Sequence, residues 1–263
     1  MELGRCVMKR AGNRIGWCDI TINPVMGCPH GCDYCYARDR WNRFKGMPGW
    51  CKDFKQPEFF PYRLRQFRTK APRIIFVDSM SDIGCWMPDW FDATMAVAKE
   101  NKHNIYLALT KRYKAIPILH ERMELLGKHF GLSGVKLFIG ASITNNAQAR
   151  AVISVGGADF ISFEPLMEQI EPELLQKLQC KWWIVGDLTS RGVPQHRAKV
   201  AWVEDMRKRA QFFGIPMFMK DSLRYMESES MSYPTIGAFM REFPEGWKLS
   251  NVYADQISEK EIV

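Results

Sequence analysis

The sequence predicts an α/β protein built on a parallel sheet, and three observations lead to that fold class. Short, continuous apolar runs are typical of parallel strands whose two faces are both buried. These runs alternate with helical segments, which implies parallel strands joined by right-handed crossovers. The 263 residues are 46% hydrophobic, which is enough to bury one sizeable core. The predicted architecture is a partial or near-complete (β/α) barrel with about six to seven parallel strands.

The predicted elements follow one another in a regular order. An alternating β-branched stretch at residues 18–23 predicts the first strand. A loop with cysteines separates this strand from a helix over 36–44. Residues 45–61 contain several Gly and Pro residues, which predicts an inserted loop before a short basic helix over 62–70. The later strands are predicted at 73–78, 104–110, 136–142, 159–163, 182–186 and 216–219, and the helices between them at 88–101, 115–126, 146–155, 172–178 and 200–213.

The alternative fold is an open, doubly wound sheet. No Gly-x-Gly-x-x-Gly follows a predicted strand, which argues against a dinucleotide-binding domain of that kind. We assign residues 1–222 to the barrel, with a basic aromatic insertion at 38–73, and residues 223–263 to a C-terminal extension packed on it. The chain shows no apolar leader with a cleavage site and no apolar run near the ~20 residues of a membrane span, so we expect a cytoplasmic protein with reduced thiols.

Three cysteines, Cys28, Cys32 and Cys35, follow the first predicted strand at Cys-x3-Cys-x2-Cys spacing. Thiolates this close in sequence are able to converge on one metal centre from a single loop. A cubane of four irons takes four ligands, one for each iron, so three thiolates leave one iron open to a substrate or cofactor. Pro29 and Gly31 suit the tight reversals of such a loop, because proline fixes φ and glycine permits positive φ.

This cysteine stretch resembles the cluster motif of the radical S-adenosylmethionine (radical SAM) superfamily. Further blocks at 77–82, 109–112, 163–166 and 217–220 are similar to those of a phage-associated subgroup with three cysteines, so the resemblance covers most of residues 17–222. It implies a radical SAM barrel in which Cys28, Cys32 and Cys35 hold a [4Fe–4S] cluster and SAM chelates the fourth iron. Reductive cleavage of SAM then gives a 5′-deoxyadenosyl radical that abstracts hydrogen from a substrate.

The resemblance also implies where SAM binds, at the carboxyl ends of the strands. Tyr34, the aromatic residue before the last cysteine, is implied to lie near the adenine, and Lys111 or Arg112 to hold the carboxylate. Asp78 and its successors suit the amino group. Besides Tyr34, Lys111 and Arg112, the residues assigned to the cofactor site are Ser79, Ser81, Asp82, Thr110, Ser142, Thr144, Asn145, Glu164, Asp187 and Lys220. No residue is assigned as catalytic.

Two motifs depart from the family pattern. Ser79-Met80-Ser81-Asp82 replaces the usual Gly-Gly-Glu after the second strand, and Gly186-Asp187 replaces the Gly-Gly-Glu that the subgroup carries after the sixth.

Other interpretations of the cysteines stay open. Free cysteines pack as small hydrophobic residues, so the eight of this chain also fit scattered core positions. The triplet suits a zinc ion if His30 or Cys18 supplies a fourth ligand, although the spacing departs from the paired Cys-x2-Cys of zinc sites. A second cluster held by Cys6, Cys18, Cys51 and Cys85 is less favoured, because these four lack paired spacing.

Residues 38–73 form a basic aromatic segment that favours a phosphate-bearing partner. The segment has eleven Lys and Arg against three acids, so its net charge of +8 equals that of the whole chain. Cations track phosphates and aromatic faces stack on bases, which suits a nucleic acid or a nucleotide. A solvated helix face beside ordinary core aromatics is the alternative. The cations are Arg38, Arg40, Arg43, Lys45, Lys52, Lys55, Arg63, Arg65, Arg68, Lys70 and Arg73.

Two functional classes follow from these observations. The first is a radical SAM enzyme that needs an external electron donor and acts on a nucleobase, or on an unrelated small molecule or peptide. The second is a nucleic-acid-binding protein whose metal loop is structural. Iron and sulfide content separates the two classes, because a [4Fe–4S] cluster carries both and a zinc site carries neither.

Overall fold

Seven parallel strands form the main sheet of the protein. The computed structural model describes residues 15–188, 198–225 and 239–250. Numbered in chain order, the strands lie across the sheet as β1 (Ile20–Ile22), β4 (Ile74–Val77), β5 (Ile105–Thr110), β6 (Lys136–Ile143), β7 (Phe160–Phe163), β8 (Trp183–Val185) and β9 (Met217–Met219). Every neighbouring pair in this sheet is parallel, which confirms the predicted fold class.

Helices connect these strands and cover the convex face of the sheet. Their apolar sides, with residues such as Phe91, Leu119 and Val203, join the strands in the largest buried cluster of the protein. Helix ends agree with local sequence signals: α2 begins at a proline, and α3 and α6 are followed by glycines with φ of 67°. The helices are α1 (Tyr36–Phe44), α2 (Pro88–Lys99), α3 (Ala115–Phe130), α4 (Asn146–Ser154), α5 (Pro172–Lys177) and α6 (Val200–Phe213).

The sheet curls into a half-barrel, and the rings inside it show the curvature. Trp17, which precedes β1, packs against Phe76 of β4 with ring centres 4.7 Å apart. The same tryptophan meets Trp182, which precedes β8, at 6.1 Å. Three strands separate β4 from β8 in the sheet. A flat sheet would hold these two rings too far apart to touch one tryptophan, so the concave face is closed by its own aromatic side chains.

The lower part of the concave face is tightly filled. A Cβ atom on Gly140 of β6 would lie about 2.5 Å from the ring of Phe160 on the neighbouring strand, so only glycine leaves room for that ring. Residues 239–250 complete the filling, because Phe243 and Trp247 both pack against Trp182. Ser250 donates its backbone N–H to Asp19 at 2.8 Å, which fastens this segment near the start of β1.

The sequence missed one element and misplaced the ends of others. A two-stranded antiparallel sheet joins β2 (Val25–Met26) to β3 (Glu58–Phe59), inside a region predicted as loop. Two-residue strands offer too little periodicity to be recognised in a sequence. The predicted basic helix over 62–70 is a 3₁₀ helix, Pro61–Phe67, and α3 continues four residues beyond its predicted end.

Parts of the predicted organisation lie outside the described residues. These are most of the lead-in segment, including Cys6, and much of the C-terminal extension, so the division into two domains stays a prediction. Among the residues that the structure describes, none of the helices has both the length and the apolar character that crossing a membrane requires.

Candidate active site

The concave face changes from apolar to polar toward the carboxyl ends of the strands. Side chains on one face of a strand recur every second residue. Each strand therefore has a row of inward side chains that begins in the buried core and continues to residues two or four positions further along. The buried members of these rows include Phe76, Leu107, Phe160, Ile184 and Phe218. Those continuing positions are Asp78, Lys111, Ser142, Glu164, Gly186 and Lys220. The sheet thus brings residues from six strands to one edge.

The cysteine loop is fastened over part of this edge. The backbone N–H of Gly27 donates to Met80 O at 3.1 Å, and that of Cys28 donates to Phe54 O at 2.6 Å. Gly27 has φ of 103°, and a Cβ there would lie 2.9 Å from Phe54 O, so the loop requires glycine at this turn. The Tyr36 hydroxyl donates to the carbonyl of Ser79, which follows β4. The loop is therefore held against the ends of the first strands by its backbone and by a tyrosine.

The three thiols of the loop share one cavity. Its volume is about 150 Å³, and Cys28, Cys32 and Cys35 all line it. Arg38 and Lys55 also line it, so cations border the thiols on the side of the basic segment. Cys35 is the N-cap of α1, where its sulfur accepts the Arg38 N–H at 3.4 Å. A helix N-terminus stabilises negative charge, so this hydrogen bond favours the thiolate form of Cys35 and opposes the effect of burial on its pKa.

The protonation of the three thiols differs with their surroundings. Burial raises the pKa of Cys32 and of Cys35 above the ordinary thiol value. A hydrogen bond with the Cys85 thiol lowers the pKa of Cys28, and the Arg112 charge acts in the same direction. Cys85 ends the 3₁₀ helix Ile83–Cys85, which brings a fourth thiol beside the loop.

The donor set fits a [4Fe–4S] cluster held by three thiolates. The three thiols come from one loop and face one cavity, and thiolate is the ligand that such clusters take. Among the residues that the structure describes, no three His, Cys, Asp or Glu side chains are arranged around a single-ion site. A cubane does not need that arrangement, because each of its ligands binds a separate iron. Cys18 lies in the concave core, in a different cluster from Cys28 and Cys35.

Lys111 is the cation that faces the thiols from inside the half-barrel. Its Nζ donates to Ser142 Oγ at 2.7 Å and lies 5.6 Å from the centre of the Tyr34 ring. Burial lowers the pKa of Lys111, while the neighbouring Cys32 and Asp82 oppose that effect. Tyr34 hydrogen-bonds the side chain of Thr144, so the loop also reaches the end of β6. The structure thus brings together the predicted adenine and carboxylate residues, whereas Arg112 is exposed.

Asp78 is a buried carboxyl group in an uncommon backbone conformation. Its φ is 73°, and it is 3% exposed. Oδ2 accepts a hydrogen bond from Trp86 Nε1 at 2.8 Å, but Oδ1 has no hydrogen-bond partner among the described residues. Burial raises the pKa of Asp78 well above its ordinary value. Strained backbone and an unsatisfied buried oxygen both cost stability, and such features cluster at functional sites.

Several of the predicted site residues hold the edge together. Asp82 accepts from Thr110 Oγ1 at 2.5 Å, from the Lys111 N–H at 2.7 Å and from the Gly84 N–H at 2.9 Å. These three bonds tie the 3₁₀ helix with Cys85 to the end of β5.

Ser79, Ser81, Thr144 and Asn145 have comparable partners. Ser79 Oγ donates to Asn23 at 3.1 Å, and Ser81 accepts from Trp86 Nε1 at 3.2 Å. Thr144 and Asn145 both bond to Gln148, and Asn145 caps α4.

Glu164 and Lys220 form an ion pair at the ends of β7 and β9. Between them, at the end of β8, lies Gly186, where a Cβ would sit 3.0 Å from Lys220 Cδ and 3.3 Å from Glu164 Cδ. The glycine therefore makes room for the pair. Asp187 has a different role, because its Oδ1 accepts the N–H groups of Leu188 at 2.7 Å and Ala198 at 3.0 Å.

The basic aromatic segment divides into internal and exposed cations. Arg63 donates to the carbonyls of Asn23 and Gly49 and lies 4.8 Å from the Phe60 ring, so it holds the segment together. Arg73 pairs with Asp19. The aromatic residues of the segment pack largely against one another, as in the Phe44–Trp50 stack, whose ring centres lie 5.2 Å apart. The exposed cations are Arg40, Arg43, Lys45, Lys52, Lys55, Arg65, Arg68 and Lys70.

The sequence did not identify four residues that shape this edge. Tyr36 and Tyr113 contribute hydroxyls, and the latter donates to Ser142 O at 3.0 Å. Cys85 lies beside Cys28, and Gly186 accommodates the ion pair. Only Gly186 had a usable signal, because it occupies an inward position of the two-residue alternation along β8. The other three depend on contacts between residues far apart in the chain.

Comparisons with known proteins give a family but little else. The family model described as "Protein of unknown function (DUF5131)" matches residues 12–255. A search of curated proteins found no match. Among solved structures, a point mutant of spore photoproduct lyase matches with a TM-score of 0.42 and 12% sequence identity, over 77% of this chain and 75% of that one. These values are too low to support a statement about function.

Proposed function

The chain belongs to the DUF5131 family, and we propose that it is a radical SAM enzyme. The observation that carries the proposal is the cavity that Cys28, Cys32 and Cys35 line together, in a loop fastened to the carboxyl edge of a parallel half-barrel. The spacing of the cysteines resembles that of the superfamily, and the curled sheet is the architecture that this resemblance implies. When bound, a [4Fe–4S] cluster with an open iron supplies the electron that cleaves SAM to a 5′-deoxyadenosyl radical.

In this proposal the three cysteines hold the cluster and the inner face of the half-barrel holds SAM. Tyr34 provides an aromatic face for the adenine. Lys111, half-buried and beside Tyr34, holds the carboxylate, because a partly desolvated ammonium forms strong hydrogen bonds to an anion. Ser142 orients the Lys111 ammonium through the 2.7 Å hydrogen bond.

Asp78 receives the amino group of SAM through the oxygen that lacks a partner in the described structure. An ammonium placed there would satisfy this oxygen and neutralise a buried carboxylate.

The remaining predicted residues hold other groups of the site in place. Asp82 and Thr110 fix the backbone around Lys111, and Ser79 and Ser81 fix the turn after Asp78. Thr144 and Asn145 set the start of α4 next to Tyr34, where polar side chains suit the ribose hydroxyls of SAM. Asp187 fixes the backbone after β8. Glu164 and Lys220 form the part of the carboxyl edge that follows β7 and β9.

We propose further that the substrate is a nucleobase, in a nucleic acid or a nucleotide. Eight exposed cations of the basic segment support this choice, and Arg38 and Lys55 extend positive charge to the cavity of the three thiols. Phosphates would bind along these cations and bring a base toward the radical. The partners required are SAM, an external electron donor and the phosphate-bearing substrate.

The decisive experiment is anaerobic purification followed by metal and product analysis. A radical SAM enzyme would carry about four irons and four sulfides per chain. With a reductant it would convert SAM to 5′-deoxyadenosine and methionine. Zinc without sulfide would instead support a nucleic-acid-binding protein with a structural metal loop, the second candidate, which the exposed cations also favour.

A further inference from the structure

The Glu164–Lys220 pair lies on a part of the edge that the cysteine loop leaves uncovered. The loop contacts described above reach Ser79 and Met80 after β4, Lys111 after β5 and Thr144 after β6. Glu164 and Lys220 follow β7 and β9, and Glu164 adjoins the covered part, because Ser142 Oγ donates to Glu164 O at 3.3 Å. The carboxyl edge therefore has two adjoining walls, one beside the thiols and one that contains this ion pair.

The ion pair has hydrogen-bonding capacity that the described structure does not use. Lys220 Nζ donates to Glu164 Oε1, and it carries three donors in all. Within the described residues, Glu164 Oε2 and the other Lys220 donors form no further hydrogen bond or ion pair. The two side chains are 25% and 16% exposed, so they are partly shielded from water but still accessible to a ligand. A carboxylate oxygen and an ammonium therefore lie side by side, and both have hydrogen-bonding capacity that the described residues do not use.

This arrangement selects against charged ligands. An anion would approach Lys220 but meet the adjacent Glu164 carboxylate, and a cation would meet the opposite conflict. A neutral group that offers an N–H beside an acceptor satisfies both members of the pair at once. The hydrogen-bonding edge of a nucleobase, or any planar amide, has this pattern.

We propose that Glu164 and Lys220 bind the substrate and read its donor–acceptor edge, with Glu164 accepting the N–H and Lys220 donating to the neighbouring oxygen or nitrogen. The proposal rests on the proposed function, in which the wall beside the thiols holds SAM. Gly186 contributes to this arrangement, because the Cβ of a larger residue would crowd Lys220 Cδ and Glu164 Cδ and displace the two side chains. The ion pair is then a specificity determinant for a neutral, planar substrate group.

The test uses cluster-loaded protein with SAM but no reductant, so that binding is measured without turnover. The probes are uridine, uridine methylated on its ring N–H, and inorganic phosphate. Adenosine is avoided because it resembles the adenosyl part of SAM. We expect uridine to bind, and the methylated form to bind about tenfold to a hundredfold more weakly, because it lacks the donor to a charged acceptor.

Variants then assign the binding to the pair. Glu164→Gln and Lys220→Met should each weaken uridine binding by a similar factor, and Gly186→Ala should weaken it through crowding. The matched control is Glu171→Gln, which removes a carboxylate from a different and more exposed ion pair, Arg150–Glu171. Iron content, melting temperature and SAM affinity are measured on the same samples and should stay unchanged.

The outcomes separate this inference from the proposed function. Loss of SAM affinity with unchanged uridine affinity in Glu164→Gln and Lys220→Met would place these residues in the cofactor site and overturn the inference. Equal binding of uridine and its methylated form, or phosphate binding that depends on Lys220, would also overturn it. Absence of iron, sulfide and SAM binding in the unmodified protein would instead contradict the proposed function.

Discussion

Lys111 and Tyr34, which the sequence assigned separately to the carboxylate and the adenine of SAM, lie in contact across the candidate site. The Lys111 Nζ is 5.6 Å from the centre of the Tyr34 ring. One residue belongs to the end of β5 and the other to the cysteine loop. This contact joins the thiols to the concave face of the sheet, and it makes Lys111 a better candidate than its neighbour for a SAM contact.

Replacing Lys111 is expected to weaken SAM binding. The loss of a hydrogen bond between charged groups corresponds to about tenfold to a hundredfold in affinity. Lys111→Met keeps the length of the side chain, and equilibrium binding of SAM to cluster-loaded protein measures the effect. Arg112→Ala is the matched control, because Arg112 is exposed and should leave the affinity unchanged. A larger effect from Arg112→Ala than from Lys111→Met would reverse the assignment.

Removing one loop thiol is expected to remove the cluster, and Cys32 is the cleanest position. Cys32→Ala should lose most of the bound iron and all SAM cleavage, because the cluster loses one of three protein ligands. Cys28→Ala is less decisive, because the neighbouring Cys85 thiol is able to take the place of Cys28 as a ligand. This variant is therefore compared with a double variant in which Cys85 is also changed to Ala. Cys180→Ala serves as control, because its thiol lies elsewhere, against Trp182 O. Full iron and normal cleavage in Cys32→Ala would refute the cluster assignment.

The exposed cations are expected to make nucleic-acid binding depend on salt. The log–log slope of affinity against salt should fall by about 0.7 to 0.9 for each phosphate contact removed. Arg40, Arg43 and Lys55 are exposed, and we expect their joint replacement by Gln to reduce the slope. Arg63 is excluded from the set, because its guanidinium binds backbone carbonyls and its loss would disturb the segment itself.

The matched control for this experiment replaces Lys114, Lys177 and Lys208, three exposed lysines outside the segment. Titration of DNA, RNA and nucleotides against salt gives the slopes. If neither nucleic acid nor nucleotide binds at low salt, the segment is a solvated surface and the nucleobase hypothesis fails with it.

Replacing Asp78 by Asn is expected to stabilise the ligand-free protein at neutral pH. The pKa of Asp78 is raised on folding, so the native state binds a proton more tightly than the unfolded chain. Stability then falls as pH rises above the ordinary carboxyl pKa of 3.8, because the unfolded chain ionises first. Asn removes this loss. Melting curves from about pH 4 to about pH 8 should show a flatter profile for the variant. An unchanged pH profile would contradict the assignment, and SAM affinity should fall in the same variant.

The His120–Asp159 pair is expected to give a pH dependence of the same sign, in which stability falls as pH rises, over a range that begins near the ordinary histidine pKa of 6.5. His120 Nε2 lies 3.0 Å from Asp159 Oδ2, and this hydrogen bond raises the pKa of the histidine above its ordinary value of 6.5. The resulting stabilisation is fully present below that value and is lost as pH rises through the folded-state pKa. His120→Gln should flatten this part of the melting profile without changing iron content. His103→Gln is the control, because His103 bonds to Thr69 and has no carboxylate partner among the described residues.

Local sequence patterns were sufficient to predict the strands of the main sheet, most helices and the loop that carries the three cysteines. Apolar runs and caps depend on residues close together in the chain, so the parallel order from β4 to β9 and the bounds of α1 and α6 could be predicted. The same holds for Cys28, Cys32 and Cys35, whose spacing within eight residues already limits them to one loop. The two-residue strands β2 and β3 escaped prediction because they carry no period.

The sequence by itself determined the fold class and the identity of the polar groups at the carboxyl edge. The tertiary structure decided which of these groups already bond to other parts of the protein. Asp82 and Asp187 are occupied by N–H groups of their own surroundings, and Arg63 by two carbonyls. Glu164 and Lys220, 56 positions apart, instead bond to each other beside Gly186 at the end of β8. Whether a charged side chain binds its own protein or a ligand depends on distances across the curled sheet, and the curvature arises from packing among residues far apart in sequence.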